Sequence, residues 1–172
     1  MYGDHCLFTA NRNIVADINR IFHYLANWTQ GPNQLKLCKT LMVCPTIMRK
    51  QLLALIQNEI RHAKAGREAS IILKLNSLSD TMLIEKLYQA AAAGVTINLI
   101  VRSICCAMTD QKKIRQHVTA ISIVDEYLEH ARVMIFHNNG KEKIFISSAD
   151  WMVRNLDHRV EAAVPVTEPG IR

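Results

Sequence analysis

The chain has 172 residues, 49% of them hydrophobic and 21% charged, a composition that excludes a disordered chain, a collagen and a disulfide scaffold. This length predicts about one folded domain. Lys and Arg number 21 against 15 for Asp and Glu, and the formal charge of +6 favours anionic partners such as nucleotides, phosphate chains, nucleic acid or lipid surfaces.

The first predicted element is a helix over residues 11–25. Asn11 is a suitable N-cap, and apolar residues follow it at steps of three and four. Gly31 and Pro32 then predict a loop over residues 28–34, which is the best candidate for a boundary inside the chain. The apolar residues of the predicted helix are Val15, Ile18, Ile21, Phe22 and Leu25.

Two further helices are predicted in the middle of the chain. The first begins near Pro45, a residue that fits the first turn of a helix, and stops at Gly66. The second follows Asp80, which can cap it, and ends at Gly94. Each helix carries apolar residues along one face, as expected for a helix that packs on a sheet.

Predicted strands alternate with these helices. Between residues 35 and 101 the alternation predicts right-handed crossovers and a parallel sheet. Four more strands are predicted after an irregular segment over 103–117, and Asn138-Asn139-Gly140 predicts a hairpin turn between the middle two. The predicted strands cover residues 35–43, 70–75, 95–101, 118–124, 132–136, 143–147 and 159–164.

The five cysteines favour a reducing compartment. Their number is odd and no Cys-x-x-Cys pair occurs, so a disulfide framework or a structural zinc site is not expected. We expect most of the cysteines to be small buried side chains. No apolar stretch approaches the roughly 18 residues that cross a bilayer, and the first residues do not form a signal peptide. A cytoplasmic location follows.

His130 precedes a predicted strand, and Arg132 lies two residues further on. Since strand side chains alternate with a period of two, both side chains can point to the same side. Histidine can give or take a proton near neutral pH, and arginine offers a fork of donors that matches phosphate oxygens. By residue type alone, an ordinary surface or buried histidine is the commoner explanation.

Other candidate residues stand at the ends of predicted strands. Arg102 directly follows one apolar strand and Lys74 lies near the end of another, where ligands gather in open α/β sheets. Ser148 and Asp150 follow a third strand and suit either a polar pocket or a plain capped turn. Tyr2 precedes every predicted element.

The chain carries, in this order, the segments YGD, LFTAN, SIILKLNSLSD, GVTINLIVRSICC, ISIVDEYLEHARVMIFHNNG and IFISSADWMVRNLDHRVEAAVPV. In this series it resembles the polyphosphate kinases of the large bacterial type. The resemblance runs from Tyr2 to about Val166 and is most specific at EYLEHAR and SSADWMVRN.

The resemblance implies a phospholipase-D-like α/β fold with a mixed, largely parallel sheet flanked by helices. In that family, two related units each offer a histidine to a shared phosphate site. Residues 1–34 would be the tail of the first catalytic unit with a connecting helix and loop, and residues 35–172 the second unit, truncated at its carboxyl end. The chain is then expected to be the carboxy-terminal catalytic part of a longer polypeptide.

The resemblance also implies an activity, the reversible transfer of the terminal phosphoryl group of ATP to inorganic polyphosphate through a phosphohistidine. His130 matches the histidine of the second unit, which would protonate or steady the leaving oxygen. Tyr2 and Arg102 match residues that contact the nucleotide phosphates. Arg132 and Lys74 would add positive donors at the same place.

Ser148 and Asp150 lie where the phospholipase D superfamily has its small polar segment. The phosphorylated histidine and the ligands of an assisting Mg²⁺ are expected upstream of Tyr2, so we expect no metal ligand in this chain and no activity from the chain alone. The implied partners are ATP, ADP, inorganic polyphosphate and further copies of the intact enzyme, with no specific nucleic acid and no transmembrane segment. The implied location is the cytoplasm, with or without peripheral attachment to the inner membrane.

Two alternatives stay open. The superfamily pattern H-x-K-x-x-x-x-D is not met, because Arg132 stands at the lysine position and His137 at the aspartate position. A phosphodiesterase of the phospholipase D superfamily would share the fold and His130. A basic nucleic-acid-binding module would fit the charge but would leave EYLEHAR and SSADWM unexplained.

Overall fold

A computed structural model describes residues 2–3, 5–168 and 170. The helices are α1 (Arg12–Ala26), α2 (Met48–Lys64), α3 (Thr81–Ala92) and α4 (Val153–His158). The strands are β1 (Tyr2–Gly3), β2 (Met42–Val43), β3 (Ser70–Leu75), β4 (Thr96–Val101), β5 (Val118–Ile121), β6 (Leu128–Glu129), β7 (Arg132–Phe136), β8 (Lys143–Ser147) and β9 (Ala162–Val166). No helix in these described ranges has the length and apolar character needed to cross a membrane.

A seven-stranded mixed sheet organises the described part of the chain, in the order β2-β9-β8-β7-β3-β4-β5. This confirms the predicted mixed α/β fold. The expected predominance of parallel pairs is not observed, because only β3–β4 and β4–β5 are parallel and the other four junctions are antiparallel. Strand β7 lies between β3 and β8 and runs opposite to both, because the β7–β8 hairpin enters the sheet beside β3.

Much of the middle of the chain folds as its sequence predicts, but Pro45 lies before α2, which begins at Met48, and β5 ends at Ile121 and not at residue 124. Asp80 caps α3, its Oδ1 accepting from the Leu83 backbone N–H at 3.0 Å. Gly66 and Gly94 follow the last residues of α2 and α3 with φ of +69° and +96°, a conformation that costs glycine little and stops each helix. Strands β3, β7 and β8 have the predicted bounds, with the predicted asparagine-glycine turn between β7 and β8.

Residues 35–43 were expected to form a strand, and this prediction is wrong for most of the segment. Pro32–Leu37 form a 3₁₀ turn, and only β2 pairs, at the far edge of the sheet and antiparallel to β9. The buried residues Leu35, Cys38 and Leu41 recur every third position, which suits a tight helical turn better than a strand.

The carboxylate of Asp17 holds this segment in place. Asp17 lies on α1 and is 1% exposed. Its Oδ2 accepts hydrogen bonds from the backbone N–H groups of Lys39, Thr40 and Leu41 at 2.7–3.0 Å. Its Oδ1 pairs with Arg20 at 2.7 Å. The backbone donors that a strand would offer to a neighbour are thus satisfied by one side chain.

The apolar face of α1 differs from the prediction. Asn11 caps the helix as expected, and Ile21 is buried. However, Val15, Phe22 and Leu25 are exposed, Phe22 at 66%. A polar residue, Asp17, occupies the inward face instead, so the apolar spacing overstated how many of these side chains enter the core.

The main core lies between the sheet and helices α2 and α3. Its largest fully buried side chains include Trp151 and Phe136, and Phe136 meets Phe145 edge to face at 6.4 Å between ring centres. Arg49 of α2 joins the elements on this side by binding Asp80 at 2.9 Å and also Asp157 of α4. The Arg49 guanidinium holds the pKa of Asp157 below its usual value.

Only Cys38 and Cys44 of the five cysteines are buried, so the expectation that most would be buried is wrong. Burial raises the pKa of Cys38 to about 11, with Asp17 adding to the shift, and that of Cys44 to about 12, with Glu161 adding to it. At neutral pH both thiols therefore stay protonated and unreactive.

We expect a thiol reagent such as Ellman's reagent to label three cysteines of the native chain within minutes, and all five once the chain is unfolded. Cys6, Cys105 and Cys106 are the exposed residues. Replacing Cys38 and Cys44 by alanine should leave the native count at three. Rapid labelling of five thiols under native conditions would contradict the burial of Cys38 and Cys44.

Candidate functional site

Most of the candidate residues lie together at one edge of the sheet, where edge means the ends of neighbouring strands and not an outermost strand. Strands β3, β4 and β8 end there and β7 begins there, because β7 alone among these four is reversed. Lys74, Arg102 and Asp150 therefore meet His130 and Arg132, although the first and last of these residues are 76 positions apart in the sequence. All five were predicted to lie at strand ends, and the reversed direction of β7 explains why His130 and Arg132, at the start of their strand, join residues at the ends of the others.

Arg132 and Asp150 form a paired anchor at this edge. The Arg132 Nε lies 3.0 Å from Asp150 Oδ1, and Nη2 lies 3.1 Å from Oδ2, which is the bidentate geometry that arginine offers to a carboxylate. Both side chains are largely buried. Asp150 Oδ1 also accepts from the backbone N–H groups of Asn76 and Ser77 at 2.9 and 3.1 Å, so one carboxylate ties β7 to the loop after β3.

Asn76 connects the two halves of the cluster. It is buried, its Oδ1 accepts from Arg102 Nε at 3.1 Å, and its Nδ2 donates to the backbone carbonyl of His130 at 3.4 Å. The same carbonyl accepts from Arg132 Nη1 at 3.3 Å. The main chain at His130 is thus held from two directions, and His130 itself is half-buried.

Lys74 faces the residues just before β7. Its Nζ donates to the Ala131 carbonyl at 3.1 Å and pairs with Glu129 Oε2 at 3.0 Å. Lys74 therefore spends two of its three N–H donors within the protein. Like Arg132, Lys74 chiefly holds the backbone of the His130 segment in place. Its third N–H donor is the one that it can offer to a ligand.

Tyr2 lies near the same segment through its backbone. Strand β1 pairs in parallel with β6, and Tyr2 is opposite Leu128, two residues before His130. The side chain of Tyr2 lies outside the described part of the structure, so its predicted contact with nucleotide phosphates stays a prediction.

Ser148 faces β9. Its Oγ binds the Glu161 carboxylate and accepts from the Ala162 backbone N–H at 3.1 Å. Glu161 also accepts from Asn155 Nδ2 at 2.9 Å. Ser148 and Asp150 therefore occupy different hydrogen-bond networks in spite of their proximity in sequence. Glu161 is not among the residues predicted from the sequence, because only the pairing of β8 with β9 brings it to Ser148.

A cavity of about 250 Å³ opens beside Arg102. Apolar and aromatic side chains form much of its wall, including Val124 and Tyr127, both exposed. Among the described residues Arg102 uses only Nε, towards Asn76, which leaves its two terminal nitrogens to face a ligand. Arg102 is therefore the cation of the cluster with the most hydrogen-bonding capacity to spare.

Two carboxylates near this edge are already paired. Asp150 is bound to Arg132, and Glu129 to Lys74. Across residues 2–3, 5–168 and 170, no group of three or more His, Cys, Asp or Glu side chains could hold a metal ion. Asp150 and Glu129 are thus engaged by cations, while Asp125 lines the cavity beside Arg102.

Comparisons with known proteins identify relatives of the chain. The family described as "Polyphosphate kinase C-terminal domain 2" matches residues 41–172. A protein named polyphosphate kinase from Vibrio parahaemolyticus is 42% identical over all 172 residues, which are 24% of that protein. The chain thus spans about a quarter of the length of the curated relatives that it matches.

Solved structures agree with the family match. The crystal structure of polyphosphate kinase from Porphyromonas gingivalis superposes with a TM-score of 0.87 at 43% identity, over 95% of this chain and 24% of that one. Nuc from Salmonella typhimurium, a phospholipase D family member, gives a TM-score of 0.54 at 16% identity, over 76% of this chain and 84% of its own. At that identity the second likeness concerns the fold alone.

Proposed function

Because the chain belongs to the polyphosphate kinase family, we propose that it supplies one half of a phosphoryl-transfer site that works reversibly between ATP and inorganic polyphosphate. In this proposal, residues 35–172 form the second of two related catalytic units, and residues 1–34 come from the first unit and its connection. The match of the family to residues 41–172 supports the proposed boundary.

The cluster around Asn76 is the observation that carries this proposal. It holds the His130 backbone and Arg102 at one edge of the sheet through a single buried amide. Phosphoryl transfer demands positioning and neutralisation of charge on the transferring oxygens more than covalent work by the protein. A preset arginine beside a fixed histidine meets both demands.

The roles within the cluster differ. We assign phosphate binding chiefly to Arg102, whose terminal nitrogens are available, while Arg132 and Lys74 orient the His130 segment and add positive potential. His130 would give a proton to the leaving oxygen or hydrogen-bond to it. The phosphorylated histidine would lie upstream of Tyr2, and Tyr2 would contact the nucleotide phosphates.

Magnesium would enter this site with the substrate. The carboxylates of Glu129 and Asp150 are occupied by Lys74 and Arg132, so in this proposal these two do not supply ligands. Mg²⁺ is commonly held by substrate phosphates with one or two carboxylates, and in this proposal those carboxylates belong to residues upstream of Tyr2. The other proposed partners are ADP and further copies of the intact enzyme, and the proposed location is the cytoplasm.

Neither alternative function has an observation of its own in its favour. The likeness to Nuc supports the fold without the activity. A general nucleic-acid-binding surface would not need a buried amide that joins His130 to Arg102.

In the full-length protein, His130→Ala should lower turnover of ATP into polyphosphate by at least about 100-fold, the usual worth of a positioned proton donor. Arg102→Gln should chiefly raise KM for ATP, since it removes a phosphate contact. Turnover is measured from the release of ADP, with the folded state checked by circular dichroism.

His117→Ala is the matched control, because His117 lies before β5 at the opposite edge of the sheet. It should retain ordinary turnover. Near-normal turnover of His130→Ala would remove His130 from the site.

Labelling of the chain by radioactive ATP at an acid-labile, base-stable position would contradict a nucleophile upstream of Tyr2.

A further inference from the structure

A second cavity, of about 460 Å³, lies at the edge of the sheet opposite to His130. Strands β2 and β8 begin beside it, and α2 covers it. The two cavities are thus at opposite ends of the strands, since β8 starts at this cavity and ends beside the cluster of Arg132 and Asp150. Nothing in the proposed phosphoryl transfer uses this second cavity.

The charges around this cavity have one sign. Lys39, Arg61 and Lys143 line it, and no acidic residue does. Among the described residues, the side chains of Lys39 and Lys143 take part in no ion pair, and Arg61 gives one hydrogen bond to Asn58 at 3.2 Å. All three cations are exposed, and the positive potential that they share favours a bound polyanion.

The wall of the cavity adds hydrogen-bonding and apolar surface. Asn58 and Thr40 bring polar groups, and Phe145 and Met42 give a largely buried apolar floor. Gln51 also lines the cavity, and its buried Oε1 has no hydrogen-bond partner among the described residues. Because an amide oxygen accepts and does not donate, it is the Nε2 group of Gln51 that can donate to a phosphate oxygen.

We propose that this cavity is a second binding site for condensed phosphate, held by Lys39, Arg61 and Lys143, and distinct from the His130 edge. The inference rests on the proposed function, which supplies a linear polyanion long enough to reach beyond the reacting centre. A chain bound at both edges would stay near the protein between transfers, because the second contact raises the effective concentration of its end.

Calorimetric titration of the chain with inorganic tripolyphosphate tests this inference. The variant Lys39→Gln/Arg61→Gln/Lys143→Gln should lose one binding event, or at least tenfold in its affinity. The matched control is Lys112→Gln/Lys113→Gln/Arg115→Gln, which removes the same charge from exposed positions before β5 and should bind as the unchanged chain does.

A third variant, Arg102→Gln, separates the two sites. If Arg102→Gln loses one event and the cavity variant the other, both the second site and the proposed function are supported. If only the cavity variant loses binding, the second site stands while the proposed function fails. If the cavity variant binds normally, or if the control triple loses as much, the second site is overturned.

Competition with ATP identifies the source of the phosphate chain. Free polyphosphate is the source if ATP fails to displace tripolyphosphate from Arg102→Gln, in which only the cavity binds. Displacement by ATP at equal concentration would instead assign the cavity to the triphosphate of a nucleotide. In the full-length protein, the cavity variant should raise KM at least tenfold for long polyphosphate and leave KM for tripolyphosphate within twofold.

Discussion

Replacing Asp150 by alanine should lower the free energy of unfolding by about 3–5 kcal/mol, which is the usual cost of leaving a buried charge without its partner. The change leaves the guanidinium of Arg132 without its carboxylate partner. It also leaves the backbone N–H groups of Asn76 and Ser77 without their acceptor. Urea unfolding followed by circular dichroism measures the loss.

Two further variants divide this cost between the ion pair and the backbone contacts. Asp150→Asn keeps the size of the side chain and one acceptor oxygen, so it should keep part of the backbone contacts while losing the charge. The double variant Arg132→Met/Asp150→Leu removes both charges and should be more stable than Asp150→Ala. If Asp150→Ala unfolds within about 1 kcal/mol of the unchanged chain, the carboxylate does not organise the site.

Asp17→Ala should lower the free energy of unfolding by about 3 kcal/mol, because three backbone donors lose their acceptor together. The loss should be concentrated where residues 39–41 pass α1. Hydrogen exchange of those three amides, followed by mass spectrometry or NMR, should accelerate more than exchange in β3.

Arg20→Met is the control for this substitution. Arg20 is partly exposed and contacts only the other carboxylate oxygen of Asp17, so its loss should cost less than about 1 kcal/mol. A loss as large as that of Asp17→Ala would mean that the ion pair, and not the backbone contacts, gives Asp17 its importance.

The elements predicted best are those whose signals are local. Strand β3 alternates buried and half-buried residues within six positions, and α3 has its capping aspartate and its terminal glycine in place. The segment over 35–43 failed because its conformation depends on Asp17, more than twenty residues earlier in the chain. A contact between residues so far apart in the sequence produces no periodic pattern of apolar residues in the segment itself.

The same distinction holds for the candidate site. Residue types at strand ends made Lys74, Arg102, His130, Arg132 and Asp150 candidates, and the family resemblance selected them. The structure places all five at one edge. The sequence could not assign their pairings. That Asp150 binds Arg132, and that Asn76 joins Arg102 to the His130 carbonyl, depends on the antiparallel entry of β7 beside β3.

The reversed strand β7 also restricts how such a chain can vary over evolution. Loops at the surface accept insertions and deletions more readily than paired strands do, so the residues between β5 and β6 can change in length while β7 keeps its pairing. Within β7 itself a shift of one residue would exchange its two faces, moving Met134 and Phe136 out of the core and Arg132 away from Asp150. Changes in length that survive selection should therefore collect before His130 and be rare between Arg132 and Phe136.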